Sequence, residues 1–176
     1  LSENLCEIHL ITHDNVDEYI SLPAWVIEKF NADIIDITHL SDIIRMALLD
    51  DYGGLYLDAT FYLTAGIPDD FFMEKEFFTL CDRKKDWKDL VQGRWSCNFF
   101  YKRVMQYGGT SYAGHLFFKY IKNAFYYYWA SQGKINDYYL FDYIIDGAYR
   151  HFPEIQSLLD SVPDTNPQVA DLVFAL

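Results

Sequence analysis

The feature that most constrains this chain is the pair Gly53-Gly54, which separates two stretches of different hydrophobic period. Before it, Leu40, Ile43, Ile44, Ala47 and Leu48 recur at the spacing of one helical face. After it, Leu55-Tyr56-Leu57 is an apolar run suited to a strand. Glycine adopts the left-handed backbone that closes a helix, so the helix ends near Tyr52 and the chain turns at once. The strand then delivers Asp58 at its C-terminal end, followed by Ala59 and Thr60. A carboxylate left unpaired at a buried strand end is costly, so Asp58 calls for a ligand or a partner.

The flanking elements follow the same rules. Residues 7–12 are apolar on both faces and read as a buried strand. Residues 16–20 start a short helix, and Pro23 suits the first turn of another over 24–30. Thr38 or Ser41 caps the helix before the glycines, with Asp42 in its first turn. Residues 77–81 and 97–101 read as strands, and helices are expected over about 112–130, 136–151 and 154–159. This order of strands and helices implies one α/β domain, in which ligands gather at strand C-terminal ends.

Charge narrows the partners. The formal net charge is -12, which argues against nucleic acid and against docking on anionic lipid. An anionic small molecule remains compatible if local Arg, Lys, a helix N-terminus or a divalent cation offsets its charge. Cys6, Cys81 and Cys97 are far apart and lack metal spacing, so they read as reduced core thiols of a cytoplasmic protein. The opening residues do not form a signal peptide, and no run of about 18 apolar residues could span a bilayer. The absence of an initial Met and the apolar end at 172–176 suggest a domain incomplete at one or both ends.

One block holds the chemistry: Ser41-Asp42-Ile43-Ile44-Arg45, then Tyr52-Gly53-Gly54-Leu55-Tyr56-Leu57-Asp58-Ala59-Thr60. It resembles the sugar-binding region of glycosyltransferases with a DxD motif, and is most similar to the bacterial capsular polysaccharide synthesis proteins of that group. The similarity is strongest over about residues 38–63, and looser over Tyr19-Ile20, Leu22-Pro23, Trp25-Val26 and Lys29-Phe30. The resemblance implies a GT-A-like (Rossmann-like) fold, a nucleotide-sugar donor such as a UDP-sugar, and Mn²⁺ or Mg²⁺ as cofactor. It implies that Asp58 is a metal ligand and catalytic. It implies that Asp42 accepts from donor hydroxyls, while Arg45 faces the donor or holds Asp42. Ser41, Tyr52, Gly53, Gly54 and Tyr56 complete the donor side. The acceptor would be a glycan or glycolipid, placing the protein in the cytoplasm or at the inner face of the membrane.

The third motif position departs from the commoner pattern, because Thr60 stands where a second Asp is usual. A hydroxyl is a weaker ligand for a hard cation than a carboxylate. Another acid must complete the site, or the donor diphosphate must hold most of the metal, or metal dependence is weak. A binding module that holds a sugar or nucleotide sugar without transferring it is the alternative reading. Asp50 and Asp51 belong to the helix end, and Asp69-Asp70 follows Pro68 as a solvated turn. Trp95, Ser96 and Asn98 are candidates for the acceptor side. Asp137, Asp142, Asp146 and His151 are further acids or bases, with Asp142 the one chosen as catalytic. The stretch Phe125-Tyr126-Tyr127-Tyr128-Trp129 reads as core, and His115 as a structural histidine.

Overall fold

The computed structural model describes residues 8–58, 75–81, 95–102 and 113–163; at 95–99, 102 and 113–115 it describes the backbone only. A 3-10 turn at Val16–Glu18 leads to α1 (Ala24–Asn31) and α2 (Ile37–Asp51). Strands β1 (Gly54–Leu57), β2 (Phe77–Cys81) and β3 (Trp95–Lys102) follow, then helices α3 (Ala113–Ser131), α4 (Leu140–His151) and α5 (Pro153–Asp160).

The three strands form one sheet in the order β1-β3-β2, with both pairings antiparallel. The α/β expectation holds, but ligand placement at the ends of parallel strands cannot be borrowed directly, because the described sheet is antiparallel. Its geometry still gathers two ends. Both β1 and β2 run against β3, so their C-termini reach the same edge, where β3 begins. Leu57 pairs with Phe99 and Cys81 with Trp95. One step beyond the Leu57 pair stand Asp58 after β1 and Asn98 on β3.

Two local expectations are corrected. Residues 8–12 form no strand, and Ile8 and Leu10 are 91% and 81% exposed. The Asn15 side chain occupies this backbone instead: its Oδ1 accepts from the Thr12 N–H at 2.7 Å, and its Nδ2 donates to the Leu10 carbonyl at 3.0 Å. Such local side-chain bonds compete with a strand ladder. The cap of α2 is neither Thr38 nor Ser41 but Asp36, whose extended backbone lets Oδ1 accept the His39 N–H at 2.9 Å. The helix therefore starts a turn earlier, and Ser41 and Asp42 sit in its second turn.

That earlier start matters for packing. Helix α2 packs against α1, α3 and β1 and is buried on more than one stripe. Leu40, Ile43, Met46, Ala47 and Leu49 are buried, and so are His39, Asp42, Arg45 and Asp50. The apolar period read from the sequence accounts for Leu40, Ile43 and Ala47, whereas its other members, Ile44 and Leu48, are only partly buried. The buried polar set needs partners, since burying a charge without one is costly. Lys122 on α3 supplies one, bonding Asp50 and lying 3.4 Å from Asp51. Burial pulls the Lys122 ammonium down, but the two carboxylates outweigh it and hold its pKa above the usual lysine value.

The core around these elements is aromatic. Phe77 and Phe100 from the sheet meet Phe117 and Phe118 of α3, with ring centroids 5.1 to 5.9 Å apart. Phe125 and Trp129 are fully buried one helical turn apart, as the sequence reading expected, whereas Tyr127 between them faces outward. Phe125 meets Phe141 of α4 at 5.2 Å, which docks α4 against α3. Rings at these spacings add about 0.5–1.5 kcal/mol per pair beyond area burial.

Candidate functional site

The site is built where α2 turns back through the two glycines into β1. Gly53 and Gly54 have φ of 73° and 92°, a backbone that L side chains rarely adopt. The reversal lays β1 alongside α2. Arg45 then does several things at once. Its Nη2 donates to Asp42 Oδ1 at 2.5 Å, and its Nε reaches the Ser41 carbonyl at 3.4 Å. Its guanidinium lies 4.9 Å from the Tyr56 ring centre and 5.7 Å from that of Phe141. Ring faces attract a cation, so these two aromatics help hold Arg45 in place.

Tyr56 connects this pair to the strand end. Its hydroxyl donates to Asp58 Oδ1 at 3.3 Å and is itself hydrogen-bonded to the Ser41 side chain. Burial raises the Tyr56 pKa, so the phenol stays protonated and remains a donor to Asp58. From the other side of the domain, Asp142 in the first turn of α4 comes near enough for its charge to act on Asp42. Ser41, Asp42, Arg45, Tyr56, Asp58 and Asp142 are thus brought into one neighbourhood.

Asp42 carries a clear electrostatic signature. Burial pushes its carboxyl up to about 6, against the pull of Arg45 and His39, with the charges of Asp36 and Asp142 adding to the rise. One guanidinium does not repay the loss of water around this carboxylate. Asp36 behaves oppositely. Burial raises it, but the His39 backbone N–H and ring outweigh that, and its pKa falls below the ordinary value.

A pH dependence of stability follows for Asp42. The folded protein holds this proton more tightly than the unfolded chain, whose value is near 3.8. The stabilisation is therefore full below about pH 4 and is lost as pH rises through about 6, amounting to roughly 3 kcal/mol at most. The urea midpoint is expected to fall between about pH 4 and about pH 7, and Asp42→Asn should remove most of that fall. An unchanged fall in the variant would mean that other groups carry it.

The remaining candidates are placed as follows. Tyr52 caps α2, and its hydroxyl donates to the Tyr19 carbonyl, so it ties the 3-10 turn to the helix end. Trp95 and Asn98 lie on β3 at the edge where β1 ends. Thr60, Asp69 and Asp70 lie outside the described residues, as do the side chains of Ser96 and His115. The Asp142–Asp146 pair is relieved by Arg150, whose Nε donates to Asp146 at 2.7 Å. His151 is exposed at the end of α4.

Two participants were not singled out from the sequence. His39 lies one turn before Asp42 with Nδ1 2.7 Å from Asp36 Oδ1. Phe141 precedes Asp142 and faces Arg45. An Asp-x-x-His helix start was a usable signal for the first; nothing local marked the second.

Among the described residues no three acidic, His or Cys side chains stand together as a metal cage. The donor set is of another kind: a half-buried carboxylate, Asp58, at a strand end. Mg²⁺ is commonly held by one or two carboxylates together with substrate phosphates, and this oxygen donor fits that arrangement. No helix of the described residues is long and apolar enough to cross a membrane.

A family model for capsular polysaccharide synthesis proteins matches residues 2–176. No curated protein and no solved structure matches the chain.

Proposed function

The chain belongs to the capsular polysaccharide synthesis protein family, and we propose that it moves a sugar from a nucleotide-diphosphate donor to a glycan or glycolipid acceptor. The observation that carries this reading is the joining of the Asp42–Arg45 pair to Asp58 through Ser41 and Tyr56. It ties the second turn of α2 and the end of β1 into one polar unit. Such pre-organisation is what a site needs if it is to stabilise developing charge without rearranging.

The roles follow from what each group already touches. Arg45 is committed to Asp42, so it acts as a positioning residue for that carboxylate. Asp42 accepts from donor hydroxyls through whatever capacity Arg45 leaves. Tyr56 orients Asp58 by hydrogen bonding. Asp58, with Thr60 and the donor diphosphate, would hold Mn²⁺ or Mg²⁺, which neutralises charge on the departing diphosphate. Trp95 and Asn98, at the start of β3, would serve the acceptor. Asp142, whose charge acts on Asp42, would be the acid or base of the site. A GT-A-like arrangement of the whole domain accords with these roles.

Calorimetry on the full-length protein tests the reading. UDP-glucose and UDP-galactose should bind, and bind more tightly with Mn²⁺ than with a chelator present. Binding of free sugar with no response to nucleotide would favour the binding module instead. No nucleotide binding at all would remove the transferase reading.

A further inference from the structure

The end of the loop between α3 and α4 and the first turn of α4 show three exposed tyrosines. Tyr138, Tyr139 and Tyr143 are 68%, 46% and 39% exposed, while Leu140, Phe141 and Ile145 beside them are buried. A single exposed aromatic is ordinary, but a contiguous group held in place is a recognition feature. The segment that carries these rings is held. Asp137 Oδ1 accepts the Tyr139 N–H at 2.9 Å, and its Oδ2 accepts the Tyr143 hydroxyl at 3.4 Å. The Tyr143 N–H donates to the Tyr139 carbonyl at 3.1 Å, placing both on one helical face. The Tyr138 ring meets Tyr139 edge-on at 5.5 Å and the buried His39 at 6.2 Å.

We propose that Tyr138, Tyr139 and Tyr143 form a stacking platform for an uncharged segment of the acceptor glycan. The word acceptor rests on the transferase reading above. Three observations support the assignment. Pyranose rings offer C–H faces ringed by hydroxyls, and tyrosine offers an apolar face with a polar tip to match. Rings fixed before the ligand arrives lose little entropy on binding it. The platform also adjoins the site. Asp142, about one turn along α4 from Tyr139, lies near enough for its charge to act on Asp42. His39, under Tyr138, is one turn from Asp42 on α2.

Charge selects the kind of glycan. Asp137 bonds Tyr139 and Tyr143, and Asp142 precedes Tyr143 on α4, so carboxylates stand beside the platform. The whole chain carries -12. A uronate- or phosphate-bearing segment would be repelled here, whereas a neutral one would not.

The test uses the full-length protein and two double variants, Tyr138→Ala with Tyr139→Ala, and Tyr138→Phe with Tyr139→Phe. Calorimetry and saturation-transfer NMR follow binding of neutral gluco- and galacto-oligosaccharides, uronate-containing oligosaccharides of equal length, and UDP-glucose. The Ala variant should lose about tenfold in affinity for the neutral oligosaccharides, the Phe variant much less, and neither should change UDP-glucose binding. Neutral oligosaccharides should outbind uronate ones. The proposal is overturned if the wild type binds no oligosaccharide, if the Ala variant binds as well as wild type, or if uronates bind better. It is also overturned if the Ala variant alters only the oligomeric state, because the patch would then be a protein contact. Loss of oligosaccharide binding in the Ala variant, with no UDP-glucose binding in wild type, would keep the platform and remove the transferase reading. The converse result would do the reverse.

Discussion

Asp58→Ala should lower sugar transfer and donor hydrolysis by about a hundredfold or more, with the fold intact. Asp58 follows the last residue of β1 and is only half-buried. Its Oδ1 accepts from Tyr56, which keeps its bond to Ser41 when Asp58 is gone. That retained bond keeps Tyr56 in place. The chemical cost is the charge: no third acid joins Asp58 in a metal cage among the described residues. Asp58→Asn makes the comparison sharper, since it keeps an acceptor for Tyr56 and removes the negative charge. If charge is what matters, Asn should be nearly as impaired as Ala, with the loss in kcat more than in KM. Near-normal UDP release by either variant would sink the assignment.

Arg45→Ala should give the largest loss of stability, about 3–5 kcal/mol at neutral pH. Arg45 is 4% exposed and Asp42 6%, so the substitution strands a buried carboxylate. It also removes the guanidinium from between Tyr56 and Phe141, where both charge and stem pack against the rings. Asp42 has an escape, because its carboxyl is already pushed up to about 6. Protonation relieves the stranded charge, so the loss should be smaller at about pH 5 than at about pH 7. Adding Asp42→Asn to an Arg45→Met variant should recover much of it, giving a coupling energy between the two sites. Urea unfolding at the two pH values measures all of this. An Arg45→Ala loss under about 1 kcal/mol would mean that the pair is solvated in the folded state.

The legible parts of this protein were those that local rules decide. Gly53 and Gly54 end α2 because only a residue without a β-carbon takes their φ values at little cost. Strand β2 lies at 77–81 as read, and α3 and α5 begin and end within a residue of the readings. The other strands and α4 run within about four residues of theirs, a spread expected at element ends. Phe125 and Trp129 are core because aromatic residues one turn apart share a helix face. The block from Ser41 to Asp58 was visible as a unit since its spacing along the chain is short.

What stayed hidden was settled either by which of several local side-chain bonds won or by contacts across the fold. Residues 8–12 have the composition of a strand, but Asn15 takes their backbone bonds. Asp36 outcompetes Thr38 and Ser41 as cap because its backbone conformation brings the carboxylate to the His39 N–H. The burial of Asp42, Arg45 and Asp50 depends on what packs against α2, and helical period cannot report a neighbour.

By itself, then, the sequence determined where helix yields to strand, that Asp58 ends that strand, and which family the motif resembles. Tertiary structure alone decided that Asp42 and Arg45 are buried, that Arg45 lies against Tyr56 and Phe141, and that Asp142 comes near Asp42. The physical reason is range. Backbone torsions and capping act within a few residues, whereas burial and charge act through space, between groups that the chain order keeps far apart.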